Sequence, residues 1–115
     1  VAVKANAICF AGHIAVVGST GFAEPGKTAT GLTYLGIFDE TIDNTGGADG
    51  DVFVMVRTHS AFLFDNASAD AVVQSLVGKK CYIHDSKTVC KTSATNTKSE
   101  GGVVLEITNE GVWVA

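Results

Sequence analysis

Gly21 to Thr28 reads GFAEPGKT, which satisfies the pattern G-x-x-x-x-G-K-T. At that spacing a glycine-rich loop can wrap phosphates in its backbone N–H groups while the lysine reaches the terminal phosphate. The chemistry needs a strand before the loop and a helix after it, because the helix N-terminus supplies part of the anion site. HIAVVGS, upstream, reads as the strand. ATGLTYLGIF, downstream, does not read as the helix, since it contains Gly31 and Gly36 and is rich in Thr and aromatic residues. Pro25 biases the peptide toward extended structure. YLGIFDE imitates a Walker B strand but follows too closely to be a separate element. The stretch is therefore expected to be a flexible Gly/Pro loop with no bound nucleotide.

Other reactive side chains are sparse. The chain has three cysteines, an odd number that argues against a disulfide framework and for synthesis in a reducing compartment. In CYIHDSKTVC, a two-residue turn at Asp85-Ser86 would set Cys81 opposite Cys90, whereas a three-residue turn would shift the register and remove the pairing. Free, half-buried thiols are expected. His13, His59 and His84 are far apart and lack zinc-ligand spacing. DNTGGADGD (Asp43 to Asp51) lacks the spacing and the terminal Glu of a calcium loop. No serine lies in a G-x-S-x-G elbow, and Asp39 and Glu40, adjacent on a strand, point to opposite sides. No catalytic, cofactor or metal residues are assigned, and the chain is not expected to be an enzyme.

Composition agrees with a non-enzymatic role. The 115 residues fit one domain. Only 17% are charged, against about 25% in an ordinary soluble domain, so part of the surface is expected to meet protein rather than water. Net charge is -4, and the basic residues are scattered, which argues against a nucleic-acid partner. No apolar run reaches the roughly 18 residues needed to span a membrane. VAVKANAICFAGHIAVVGS has no clean cleavage site and reads as mature chain.

The elements that must position these residues are mostly strands. Short runs of Val, Ile, Thr and Phe alternate with Gly, Asn, Asp and Ser clusters. This predicts strands at Ala7–Phe10, Ile14–Ser19, Leu32–Ile42, Val52–Phe64, Lys80–His84, Thr88–Thr92, Val103–Thr108 and Val112–Val114, with turns across 43–51 and a tight hairpin at 109–111. SADAVVQSLVGK predicts one short helix, about residues 68–77. Ser68 is its N-cap, Val72, Val73, Leu76 and Val77 form its apolar stripe, and Gly78 is its stop. The fold class is an all-β small antiparallel barrel or sandwich carrying that helix. In DVFVMVRT, Val52, Val54 and Val56 share one face while Phe53, Met55 and Arg57 share the other. Both faces start apolar, so this strand is expected to be covered on both sides, one by the domain's own core and the other by the short helix or a partner subunit.

The order of several motifs resembles the small capsid cement, or head decoration, proteins of tailed bacteriophages. GLTYLGIFDETIDNTGGADGD is followed by VRTHSAFLF, then SADAVVQSLVGKKCYIHDSKTV, then GVVLEITNEGVWV. The resemblance covers about Leu32 to the C-terminus. His59-Ser60 stand where the family commonly has a Gly-containing bend, and Cys81 and Cys90 where it has Val, Thr or Ala. The resemblance implies a structural virion protein, made in the host cytoplasm. It would bind the outer capsid surface, with the major capsid protein as partner and a homo-oligomer, a trimer for preference, as its assembled form. On that reading Phe53, Met55, Phe62, Phe64 and Trp113 are candidates for core or interface. Val1, Ala2, Val3 and Lys4, within Val1–Asn6, are candidates for an N-terminal arm lying on a neighbour. A tail or baseplate β-module is the alternative within the same class.

Overall fold

One short strand, Ile14–Val17, is covered on both of its faces and organises the rest of the molecule. Ile14 and Val16 point into one apolar core, Ala15 points into another, and all three are fully buried. The alternation of side chains along an extended strand makes this possible. The computed structural model describes Val1–Ala115. In chain order the strands are β1 (Ile8–Cys9), β2 (Ile14–Val17), β3 (Ala23–Pro25), β4 (Thr33–Phe38), β5 (Ile42–Asp43), β6 (Val56–Arg57), β7 (Phe62–Asn66), β8 (Lys80–Ile83), β9 (Thr88–Cys90), β10 (Glu100–Thr108) and β11 (Gly111–Val114). The fold is all-β.

The C-terminal half forms a closed barrel in the order β10-β11-β7-β9-β8. Every pair in it is antiparallel except β7 with β9, which run parallel. Irregularities in β10 between Glu100 and Val103 and between Val104 and Glu106 bend that long strand around the small circumference. Phe62, Phe64, Val72, Cys81, Ile83, Val89, Val104, Val112 and Val114 fill the interior, joined by Ile14 and Val16 from β2.

The N-terminal half closes as well, by a different route. Its sheet runs β3-β2-β4-β6. Val3 bridges Ala23 of β3, and Ala2 bridges Phe53. Residues 53–57 then lead back into β6, completing a ring around Val3, Cys9, Ala15, Ala23, Phe38 and Val54. The short β1–β5 pair lies beside it. Closure by both routes leaves few strand edges open for pairing.

Four expectations require correction. The segment at 68–77 is not a helix of several turns; it contains only a single 3₁₀ turn, Gln74–Leu76. The Asn66 side chain explains this. Its amide donates to Val72 O and its carbonyl accepts from Val72 N, at 3.1 and 2.8 Å. Gly78 N and Lys79 O bond to Val104, stitching the end of the segment to β10. With its backbone groups satisfied by other elements, the segment has no need of helical bonds. Second, the region Val52–Phe64 is not one strand. It breaks at Thr58–Ala61, where His59 takes a positive φ of 55°.

Third, Val1–Asn6 is not an arm. Val3 is fully buried, its N–H donates to Val52 O, and Ala23 N and Lys4 N close a ladder with β3. The backbone here completes the ring, so Ala2, Val3 and Lys4 are parts of the wall. Fourth, Ala23–Pro25, in the middle of GFAEPGKT, is a strand and not a flexible loop. Pro25 is tolerated because it is the strand's last residue.

Candidate functional site

The geometry of GFAEPGKT differs from a phosphate cradle. β3 pairs antiparallel with β2 at its centre, and the residues after Lys27 lead to β4, not to a helix. Gly26 packs so closely on Ile14 and Ile83 that a Cβ there would lie 3.0–3.1 Å from both. A side chain there would have to displace Ile14 and Ile83, which pack against this glycine from the two halves. Glu24 is buried, at 7% exposure, and takes Lys27 at 2.6 Å and Lys4 at 3.5 Å. Thr28 donates from Oγ1 to His84 O at 2.6 Å. The two residues a nucleotide would recruit are committed within the chain.

The remaining polar groups mostly cap turns. Asp49 Oδ1 accepts from Ala5 N, Asp51 Oδ2 from Ala48 N, and Asp43 Oδ1 from Thr45. No group of three or more His, Cys, Asp and Glu side chains is placed to hold a metal ion. The largest surface cleft, about 620 Å³, is lined by Asp65, Asp70, His84, Asp85, Lys98 and Glu110 among others. Within it Asp70 accepts from both the hydroxyl and the N–H of Thr92, and these bonds hold its carboxyl below the ordinary value.

One pairing escaped the sequence reading. Ser86 Oγ lies 2.9 Å from His13 Nδ1 although 73 positions separate them. A hydroxyl beside an imidazole is the beginning of a nucleophile–base pair. Here no carboxylate bonds the other ring nitrogen, and the His13 ring instead lies 5.3 Å from that of Phe10. Ser86 O also receives Ile14 N at 2.7 Å. The contact therefore ties the β8–β9 turn to β2, and only tertiary structure could have revealed it.

The three cysteines are free and buried. The β8–β9 register sets Tyr82 opposite Cys90 and Ile83 opposite Val89, the outcome of the longer turn. Burial pushes the Cys9 thiol up to about 11 and the Cys81 thiol to about 12. Neither is primed as a nucleophile.

The apolar candidates separate cleanly. Phe62 and Phe64 point into the barrel at 9% and 3% exposure and are core residues. Val54 is buried in the N-terminal ring, with Val52 and Val56 packed against it. Phe53 and Met55, on the opposite face of the same segment, stand out at 68% and 64%. The segment expected to be covered on both faces is thus covered by its own chain on one face only. Near it, Glu40 Oε2 accepts from Met55 N, and Arg57 pairs with Asp39 at 2.7 Å. Trp113 is opposite Leu63 across β11 and β7, and both lie on the barrel's outer face, about one-third exposed. Phe53 and Met55 are the large side chains that the fold leaves least covered, and they form the candidate site.

No helix is long and apolar enough to cross a membrane. No family model, curated protein or solved structure matches the chain.

Proposed function

We propose that this chain is a structural virion protein that binds the outer surface of a phage capsid. There it clamps neighbouring major capsid subunits, acting as a homo-oligomer with a trimer favoured. The observation that carries the reading is the pair Phe53 and Met55, both more than 60% exposed on one face of the same segment. Adjacent large apolar side chains held out from a surface mark contact with another protein. Phe and Met are also enriched at the cores of such contacts. Because both halves close their ladders, a partner is met by side chains and not by strand addition. The low charge content supports the same conclusion. The resemblance from Leu32 onward supplies the class of partner. Repetition over a shell turns modest single contacts into firm attachment.

A tail or baseplate module would use the same surface and differ only in what covers it. A nucleotide-binding module is disfavoured by the engagement of Lys27 with Glu24.

The test is binding to expanded heads that lack this protein, read by co-sedimentation and by the heat resistance of the particles. A Phe53→Ser, Met55→Ser double variant should fold normally and lose at least about tenfold in affinity, the effect of removing two interface anchors. Binding to tails but not heads moves the assignment to the tail module. A monomer that binds neither overturns the proposal.

A further inference from the structure

Cys90 and Cys81 lie on opposite faces of the barrel wall. Directly opposed residues in a ladder share a face, and successive residues alternate. Cys81, Ile83 and Val89 point into the barrel core. Cys90, adjacent to Val89 and opposite Tyr82, therefore points outward. It is nevertheless fully buried. Part of its cover is the segment that follows it. Thr97 N and Lys98 N both donate to Ser93 O, and Ala94, Thr95 and Asn96 all take positive φ. This tight left-handed turn brings Lys98 back over the sulfur, with Nζ 3.4 Å from Sγ. The thiol itself donates to Thr92 O, also at 3.4 Å. Lys98 lines both the cleft of about 620 Å³ and a second of about 520 Å³, so small solutes can reach the amine side of the pair.

We propose that Cys90 and Lys98 form an oxidative cross-linking site whose co-reactant is a hydroperoxide such as hydrogen peroxide. The sulfur attacks a peroxide oxygen, the O–O bond breaks and water leaves. This converts the thiol to a sulfenic acid, with sulfur giving up the electron pair that the peroxide gains. The Lys98 ammonium first releases a proton to solvent. Its neutral nitrogen then attacks the sulfur, an S–N bond forms, the S–O bond breaks, and the hydroxyl leaves as water with a proton from the nitrogen. The sum is one thiol hydrogen and one amine hydrogen lost, and one peroxide reduced to a pair of waters. The product is a sulfenamide of the kind that sulfenic acids form with a neighbouring nitrogen. Three features favour this product. The nitrogen is already in contact, the pair is shielded by its own loop, and Cys81 on the far side of the wall cannot compete to form a disulfide. The link closes the 90–98 loop covalently, and the inference does not depend on the proposed capsid role.

The folded protein is treated with hydrogen peroxide, alkylated without reductant, digested and mapped by mass. The expected result is a peptide joining Cys90 to Lys98, lighter than the sum of its parts by a pair of hydrogens and separated again by dithiothreitol. In a Lys98→Arg variant, which keeps the charge but has a poorly nucleophilic guanidinium, the sulfenic acid at Cys90 should persist and be trapped by dimedone present as the oxidised protein is unfolded. The wild type should give little such adduct. Three results overturn the inference: equal dimedone trapping in both proteins, a Cys81–Cys90 disulfide, or a Cys90 that remains an unmodified thiol.

Discussion

Lys27 Nζ stands 2.6 Å from Glu24 Oε1, and the same carboxylate takes Lys4 at 3.5 Å on its other oxygen. The carboxylate is nearly buried while both ammonium groups are about half exposed. The lysines can return to water if the acid is removed, but the acid cannot return to water if the lysines are removed. Replacing both, as Lys4→Met with Lys27→Met, should cost about 2 kcal/mol, held below the fully buried case by solvent at the lysine ends. Glu24→Gln should cost less. Chemical denaturation of the variants tests the asymmetry. In parallel, ATP or GTP with magnesium should leave the melting temperature unchanged, since a ligand of the native state must raise it. A rise abolished by Lys27→Ala would restore the nucleotide reading.

Gly36 sits at φ +146°, where a Cβ would collide with the carbonyl oxygen of Arg57. The register of β4 with β6 places Ile37 opposite Arg57, so relief requires the strands to separate. Gly36→Ala should destabilise by about 3 kcal/mol through combined backbone strain and overpacking. Gly31→Ala, also at positive φ but with open space around it, should cost only about 1 kcal/mol. Equal losses in thermal melts would contradict the assigned contact.

Tyr34 buries its hydroxyl without a hydrogen-bond partner, and its ring meets Phe64 edge-on, with centroids 6.4 Å apart. Burial pushes its phenol well above the ordinary value. Tyr34→Phe keeps the ring and removes the unsatisfied oxygen. It should raise stability by about 1 kcal/mol, read as a higher urea midpoint with an unchanged slope.

Cys9 and Cys81 predict an alkaline weakness. Burial raises their thiols from an ordinary 9.0 to about 11 and about 12. Below pH 9 both the folded and the unfolded chain hold these protons, so their stabilising effect is complete. As pH rises further, the unfolded chain releases protons that the folded chain retains, and stability falls through the window from pH 9 to about 12. Cys81→Ser should flatten the decline. Native protein at neutral pH should react with a disulfide reagent at neither Cys9 nor Cys81 until it is unfolded.

How far the sequence could be read differs from element to element. Ile14–Val17, Lys80–Ile83, Thr88–Cys90 and Gly111–Val114 were legible because β-branched runs between turn residues have few alternatives. β3 was not, because Pro25 and its flanking glycines signal a loop, and its strand exists only through pairing with β2 and Val3. The apolar stripe at Val72, Val73, Leu76 and Val77 has helical spacing. Yet only Val72 is buried, and Val73 and Val77 stay exposed once Asn66 and Val104 take up the backbone bonds. For the candidate site, alternation correctly placed Phe53 and Met55 on one face and Val54 on the other. It could not say which face would be left uncovered. Of the long aromatic set, it also could not separate the buried Phe62 and Phe64 from the exposed Phe53.

By itself the sequence determined an all-β chain, where most of its turns fall, and which side chains share a face, because these follow from local backbone preference and the two-residue period of a strand. Tertiary structure alone decided that β2 is the doubly covered strand, that Val1–Lys4 completes a ring, and that Glu24, Lys4 and Lys27 meet. It also decided that Lys98 returns to Cys90 and that Phe53 and Met55 remain in solvent. Each of these joins residues far apart in the chain, or depends on what lies across a face. No local pattern encodes such outcomes, because they are set by how the whole chain divides its apolar surface between two small cores.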